Sequence, residues 1–277
     1  MRFIPAIVKN AFLIFWTLLA VGPFLLIVLL SFRDNVGIFG NALGLTGSLH
    51  PENYSEAWAG PVGSAGMGVF LGNSAVVFVV ALLVNIVLGS IGSYFSTRLS
   101  SRMRAAYLGI FLAATVVPFV LILIPLYRMV NAFGFVSNPV ALGVLYGVMA
   151  LPTTVLIMSA FFADFPREVV EAAYVDGLTE FTAFWRIVLP LSKGTLVTVS
   201  LLLAIWTWSE AQIAIVMLQD ASSQTAAVGV LGFKGQFTTN YGSLFAGLSI
   251  AAIPVVVLYL VFNKYITKGI ALGGISK

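Results

Sequence analysis

The chain has 277 residues, of which 60% are hydrophobic and 9% are charged, and its mean hydropathy is +1.05. A soluble domain carries roughly a quarter charged residues, so this composition excludes a protein whose surface is covered by water and makes lipid the main solvent. The formal charge of +4 does not indicate nucleic-acid binding, because the bases lie scattered at the ends of apolar runs, as in membrane proteins.

Six apolar runs are long enough to cross a bilayer, which requires about 20 residues. None alternates with a period of two, so the pattern predicts helices and an all-α, polytopic membrane protein that forms one domain over residues 1–277. The first run is too long for a signal peptide and lacks a cleavage site of small residues, so we expect it to span the membrane. The predicted spans are 11–32, 69–95, 105–127, 140–162, 195–218 and 244–262.

Several predicted spans contain residues that disturb or tighten helix packing. Proline frees a backbone carbonyl inside a helix, so these positions predict either packing kinks, which we favour, or flexing of helices that gate a path. Gly143 and Gly147 are four residues apart and permit close contact with another helix, without indicating which one. The prolines within the runs are Pro118, Pro125, Pro152 and Pro254.

The basic residues predict the orientation of the chain. If the N-terminus is cytoplasmic, eleven of the fourteen bases fall in cytoplasmic segments, and only Arg33, Arg128 and Lys234 fall outside. The positive-inside rule therefore places both termini and residues 164–193 in the cytoplasm, and Asn53 on the outer side. The cytoplasmic bases are Arg2, Lys9, Arg98, Arg102, Arg104, Arg167, Arg186, Lys193, Lys264, Lys268 and Lys277.

Residues 164–193 form the most polar segment of the chain, with five acids and three bases between two apolar runs. Asp164 is a candidate N-cap, Pro166 suits a first helical turn, and Gly177 is a natural stop. Thr179 can cap a second helix, which we expect to end at Pro190. The segment therefore predicts a helix-turn-helix outside the bilayer.

The same segment carries a resemblance to a known family. Glu171-Ala172-Ala173, then Asp176-Gly177, then Ile187-x-Leu189-Pro190 have the spacing of the cytoplasmic "EAA" loop of ABC-importer permeases. The sequence is most similar to the sugar and oligosaccharide importers, and within them to the second, maltose-type permease subunit. The resemblance covers nearly the whole chain. One departure is Gly194, near which the family often has a second proline, and this affects how the next span begins.

The resemblance implies a type I ABC-importer permease fold with six transmembrane helices in the bacterial cytoplasmic (inner) membrane. It implies that the chain translocates a sugar or oligosaccharide by alternating access. The implied partners are two ATPase subunits, a second related permease subunit and an extracytoplasmic substrate-binding protein. ATP and Mg would be bound by the ATPase subunits, with no cofactor or metal in this chain.

The resemblance also assigns roles to segments of the chain. The outer segment 219–243 would reach towards the binding protein and the tail 268–277 towards the ATPase subunits, although composition alone indicates only a solvated loop and a flexible basic end. Residues 164–193 would dock on an ATPase subunit, the alternative being a solvated amphipathic loop. The residues assigned to this coupling are Glu171, Ala172, Ala173, Asp176, Gly177, Ile187, Leu189 and Pro190.

The fifth predicted span contains an unusual polar and aromatic group. Trp206 and Glu210 are four residues apart and are predicted to share one helical face, while Trp208 and Gln212 share another. An acid at membrane depth is costly, so Glu210 either faces a water-filled path, with a tryptophan stacking on a sugar, or pairs with a neighbouring group while the tryptophans pack between helices. The sequence leaves both arrangements open.

Missing motifs limit the function. No Gly-Lys pair occurs, so the sequence contains no P-loop, and the single histidine, His50, leaves no Ser/His/Asp arrangement; we therefore expect no enzymatic activity. The absence of cysteine excludes disulfides and thiolate metal sites. The alternative function is a secondary transporter or channel for a small polar solute. That class needs coupling-ion sites, and Glu210 is the only acid in a predicted span.

Overall fold

The computed structural model describes residues 6–41, 48–234 and 239–273, with side chains described within 8–262. These residues form helices and contain no strand, which confirms the all-α prediction. The helices are α1 (Ala6–Leu30), α2 (Asn35–Gly40), α3 (Glu52–Ala59), α4 (Met67–Ser96), α5 (Ser101–Val116), α6 (Phe119–Ala132), α7 (Pro139–Met149), α8 (Leu151–Ala163), α9 (Arg167–Val175), α10 (Glu180–Ala183), α11 (Leu189–Leu191), α12 (Lys193–Ser209), α13 (Gln212–Met217), α14 (Ala226–Leu231) and α15 (Tyr241–Gly273). A π-helical turn covers Phe184–Val188 and a 3₁₀ turn covers Ala221–Ser223.

Only three of the helices are long and apolar enough to cross a membrane alone, namely Val8–Leu30, Met67–Ser96 and Tyr241–Phe262. Three further pairs of helices pass the same test together but are bent, by 96° between α5 and α6, by 46° between α7 and α8, and by 75° between Glu180–Leu191 and α12. The described residues therefore provide up to six spans if each bent pair counts as one. The spans predicted at 105–127 and 140–162 are each built from two helices that meet at a bend, and the span predicted at 195–218 is interrupted between α12 and α13.

Prolines account for two of the breaks. Pro118 is the N-cap of α6 and has an extended ψ of 121°, and Pro152 lies in the first turn of α8. Each proline lacks a backbone N–H, which a helix can spare only at its start, so a new helix begins at each position. Pro118 also keeps the residue before it, Val117, in extended conformation. Pro125 and Pro254 instead lie inside α6 and α15.

The described residues divide into two compact units. Among the described residues, the first unit comprises those up to Leu71 and those within Ala226–Ile253, and the second comprises Gly72–Thr225 and those from Pro254 to Gly273. The single domain over residues 1–277 stays a prediction. Arg2, Lys277 and the end of the tail lie outside the described residues.

In the first unit, distant parts of the sequence meet around a small apolar core. Met67 and Phe70 pack with Ala226 and Val230, all buried. Asn53 is also buried, at 5% exposure, because its amide donates to the carbonyls of Ser31 at 2.9 Å and Arg33 at 3.0 Å. The carboxylate of Glu56 accepts hydrogen bonds from Asn240 at 2.9 Å and Ser243 at 2.6 Å. Polar side chains in this unit therefore bond to backbone carbonyls and to the carboxylate of Glu56, in addition to the apolar packing.

In the second unit, the glycine pair of α7 packs against α4 of the same chain. A Cβ atom added at Gly143 would lie 2.7 Å from the side chain of Val80, and one at Gly147 would lie 2.8 Å from the carbonyl of Ala81. Asn85 then donates to the carbonyl of Gly147 at 3.0 Å and accepts from the hydroxyl of Thr154 at 2.6 Å. The close contact that the pair predicts is therefore made inside the chain.

Candidate functional site

The first helix of the polar segment, α9, begins at Arg167 and ends in a glycine-dependent cap. Pro166 is its N-cap, and Asp164 instead ends α8, so the prediction that Asp164 caps this helix is wrong. The reason is that proline keeps the preceding residue, Phe165, out of helical conformation, which separates Asp164 from the helix. The sequence analysis is confirmed at the other end, where Gly177 has φ +80°.

Two backbone hydrogen bonds complete the end of α9. The N–H of Gly177 donates to the carbonyl of Tyr174, and the N–H of Leu178 donates to the carbonyl of Ala173, each at 3.0 Å. This is a Schellman arrangement, which uses the left-handed conformation of glycine to satisfy carbonyls at a helix end. It fixes the direction in which the chain leaves α9.

The second helix of the polar segment, Glu180–Leu191, consists of α10, the π turn and α11. It begins as predicted but continues past the predicted end. The hydroxyl of Thr179 accepts from the N–H of Thr182 at 3.3 Å, as an N-cap does. The helix ends at Leu191, with Ser192 as its C-cap, and not at Pro190. The π turn Phe184–Val188 directly before widens the helix, which relieves the clash of the proline ring with the carbonyl four residues earlier.

One face of this helix-turn-helix is fixed to the membrane helices of its own chain. Val170 is 7% exposed, and Phe184 and Val188 are fully buried, in a cluster with Tyr94, Met158, Phe162 and Val199. Ala173 is 1% exposed. Of the two alanines that the resemblance assigns to coupling, Ala173 is therefore buried within its own chain.

The other face is open. Glu171, Ala172, Asp176, Gly177 and Pro190 are exposed, while Ile187 and Leu189 are half-buried. No described residue forms an ion pair with Glu171 or Asp176. The arrangement leaves a carboxylate beside a small residue on the exposed surface of a rigidly held helix.

An ion pair that the sequence does not predict ties the second helix to the end of α4. Arg98 Nε donates to Glu180 Oε1 at 2.5 Å, and another guanidinium nitrogen donates to the hydroxyl of Tyr94 at 2.9 Å. Burial, and then the negative charge of Glu180, raise the pKa of Tyr174 above its ordinary value, so this phenol keeps its proton. The partners Arg98 and Glu180 lie 82 residues apart, and no local pattern links them.

The structure places Glu210 at a helix break. Helix α12 ends at Ser209, and Glu210 has an extended ψ of 121°. Its carboxylate accepts from the N–H of Ile213 at 2.8 Å and of Ala214 at 3.2 Å, and also from the hydroxyl of Tyr146. Glu210 is the C-cap of α12 and lies just past its last residue, and both Glu210 and Trp206 contact Tyr146. Of the two arrangements that the sequence left open, the one in which Glu210 pairs with neighbouring groups is observed.

Trp206 lies beside this pair and also lines a cavity. Its ring centroid is 5.0 Å from that of Tyr146. The cavity, of about 770 Å³, is walled by residues at the two proline breaks and by α12. Of the three described candidates for the substrate path, Trp206 lines this cavity, whereas Trp208 and Glu210 do not. The other polar residues that line the cavity are Thr115, Thr153 and Thr154.

Comparison with known proteins decides the family. The model of the "binding-protein-dependent transport system inner membrane component" family matches residues 85–271, which include both the helix-turn-helix and the helix break at Glu210. The chain belongs to this family. It is therefore a multi-pass inner-membrane permease of a binding-protein-dependent ABC importer, as the resemblance implied. Membership also implies ATPase and substrate-binding partners and a role in transport, not in catalysis.

Similar members of the family come from several bacteria. The probable ABC transporter permease protein YurM of Bacillus subtilis is 31% identical over 96% of this chain and 87% of its own. The diacetylchitobiose uptake permease NgcG of Streptomyces coelicolor is 27% identical over 97% and 88%. The melibiose/raffinose/stachyose import permease MelC of B. subtilis is 32% identical over 81% and 80%.

A solved structure confirms the fold. One chain of a bacterial ABC transporter that imports the acidic polysaccharide alginate superposes with a TM-score of 0.77. It is 19% identical in sequence, and the match covers 96% of this chain and 99% of that one. The predicted ABC-importer permease fold is therefore confirmed.

Proposed function

We propose that this permease imports a sugar or oligosaccharide by alternating access, driven by ATPase subunits that bind the ATP and Mg. Two of the relatives, NgcG and MelC, carry the names of oligosaccharide permeases. The proposed assembly contains two ATPase subunits, this chain, a second related permease subunit and an extracytoplasmic binding protein. The base distribution supports cytoplasmic termini.

The observation that carries the proposal is the two-faced helix-turn-helix. Its inner face is buried against the ends of the membrane helices, and its outer face exposes Glu171 and Ala172. An ATPase subunit that binds the outer face would move the helix-turn-helix as a rigid body. The membrane helices packed against its inner face would move with it. Glu171 offers a charge-assisted hydrogen bond to such a partner, and Ala172 permits close approach.

The proposed substrate path runs along the cavity lined by Trp206. Apolar walls with three threonine hydroxyls and the aromatic rings of Phe119 and Trp206 suit a sugar, whose C–H faces stack while its hydroxyls form hydrogen bonds. Glu210 acts beside this path as a structural group, since its carboxylate already has three donors.

Uptake into membrane vesicles tests the proposal against a secondary transporter. The chain would be co-expressed with a second permease, ATPase subunits and binding protein, and labelled raffinose or chitobiose would be offered. We expect uptake that requires ATP and persists when an ionophore collapses the proton gradient. Uptake that stops with the ionophore and ignores ATP would identify a secondary transporter.

A variant tests the path in the same assay. Trp206→Ala should lower uptake while the complex still assembles, because it removes the indole ring from the wall of the cavity. Trp208→Ala, which changes a ring outside the cavity lining, is the matched control. Equal uptake by Trp206→Ala and the wild type would place the path elsewhere.

A further inference from the structure

A polar cleft of about 330 Å³ lies where α4, α5, α8 and α9 meet. We call it the basic cleft, because three arginines line it and Glu171 is the only carboxylate that does so. Its lining also includes the phenols of Tyr94 and Tyr174. The cleft is separate from the cavity beside Trp206, with which it shares no lining residue.

The three arginines are not equally compensated. Arg98 pairs with Glu180. Arg104 is half-buried, and its guanidinium donates only to the carbonyl of Ser159, at 3.1 Å, while its Nε atom is buried without an acceptor. Arg167 is exposed and forms no ion pair with any described residue. With Arg98 neutralised by Glu180, the one carboxylate of Glu171 stands against the charges of Arg104 and Arg167, so the cleft keeps a net positive charge that is partly buried at Arg104.

The position of the cleft indicates where that charge comes from. The apolar helix α4 ends at Ser96, α5 begins at Ser101, and α8 ends at Ala163, directly beside the lining residues. The ends of membrane-spanning helices lie at the level of the lipid headgroups. The distribution of basic residues along the chain predicts that these helix ends lie on the cytoplasmic side, where anionic lipids attract arginine.

We propose that the basic cleft binds the phosphate group of an anionic phospholipid. Arg104 and Arg167 supply the charge-assisted hydrogen bonds, and the hydroxyls of Tyr94 and Tyr174 are further donors. The lipid would thereby link the coupling helix α9 to α5 and α8 through a shared anion. This proposal depends on the membrane location of the family and not on the identity of the transported sugar or on ATPase docking.

Lipid binding to the purified full-length chain provides the test. Delipidated protein in detergent would be titrated with phosphatidylglycerol or phosphatidylcholine, with binding followed by native mass spectrometry. We expect Arg104→Gln/Arg167→Gln to weaken phosphatidylglycerol binding by about tenfold and to leave phosphatidylcholine binding unchanged. Arg102→Gln removes one positive charge from the exposed surface of α5 and does not line the cleft, so it is the matched control for the single variant Arg167→Gln.

A second variant protects the test against misfolding. Arg167→Gln alone removes an exposed side chain without hydrogen bonds to described residues, so it should keep the fold and still weaken binding several-fold. Unchanged phosphatidylglycerol binding in both variants would overturn the proposal, as would an equal loss in Arg102→Gln. Displacement of the lipid from the wild type by millimolar inorganic phosphate would assign the cleft to a free anion. Normal lipid binding together with lost ATPase association in the double variant would assign it to an acidic side chain of the ATPase.

Discussion

Glu210 shows how a membrane protein can accommodate a buried acid. The carboxylate is 9% exposed and receives three hydrogen bonds, two from the backbone of α13 and one from Tyr146. The two amides are the free donors that every helix start leaves, so the acid caps α13 from inside the second unit. Glu210 thus supplies acceptors for the free amides at the start of α13 and links α13 to α7 through Tyr146.

We expect Glu210→Ala to lower the stability of the purified protein by about 3 kcal/mol, because it leaves two amides and a phenol without an acceptor. Glu210→Gln keeps an acceptor oxygen and should cost about 1 kcal/mol, as should Tyr146→Phe, which removes one donor. Thermal unfolding in detergent measures these changes, with Ser209→Ala as a neighbouring control. A Glu210→Ala protein that unfolds like the wild type but no longer transports would assign Glu210 to the substrate path instead.

At the scale of elements, the turn at Gly177 sets the angle between the two helices of the coupling segment. Its φ is +80°, and an added Cβ would meet no heavy atom within 4 Å. The cost of a substitution there comes from the backbone alone and not from a steric clash. A substitution at Gly177 therefore tests the backbone geometry of the turn without disturbing the packing around it.

Gly177→Val should strain the turn by about 2 kcal/mol, since branched residues avoid left-handed conformation, and should weaken ATPase association or uncouple hydrolysis from uptake. Gly177→Asn, which tolerates that conformation, should behave almost like the wild type. Glu171→Lys should give the same defect without strain, by reversing a contact charge. Co-purification of ATPase, hydrolysis and vesicle uptake would be compared, and normal values for Gly177→Val and Glu171→Lys would show that coupling occurs elsewhere.

The sequence predicted the parts of this segment that depend on local chemistry. The Thr179 cap and the Gly177 stop follow from neighbouring residues, and the structure confirms both. The prediction that Asp164 is the N-cap of α9 is wrong because Pro166 restricts the backbone conformation of the residue before it. The Arg98–Glu180 pair joins residues 82 apart and the Tyr146–Glu210 pair residues 64 apart. Such partners are set by helix packing, which a single sequence does not specify.

For the whole molecule, the orientation in the membrane is the most direct prediction. Eleven of the fourteen bases lie in the segments that we place in the cytoplasm. The cysteine-free chain allows single cysteines to be labelled with an impermeant thiol reagent in intact cells. We expect Val62→Cys to be labelled and Glu171→Cys to be protected until the membrane is opened. Labelling of Glu171→Cys in intact cells would show that the chain has the opposite orientation in the membrane.

The structure changes the choice of the outer probe. Asn53, which the sequence places on the outer side, is buried and bonded to two carbonyls, so a cysteine there would be unreactive for reasons unrelated to topology. Val62 is fully exposed and avoids this ambiguity.

The composition of the first unit has a consequence for biosynthesis. Met67 and Phe70 pack against Ala226 and Val230, so their partners leave the ribosome about 156 residues later. At roughly 5–20 residues per second, these aromatic and aliphatic side chains wait about 8–30 s before their core can close. During that interval the nascent chain must be shielded by lipid or by the insertion machinery. A ribosome that stalls before residue 226 would therefore leave a membrane-inserted fragment with an open core, a natural substrate for quality-control proteases.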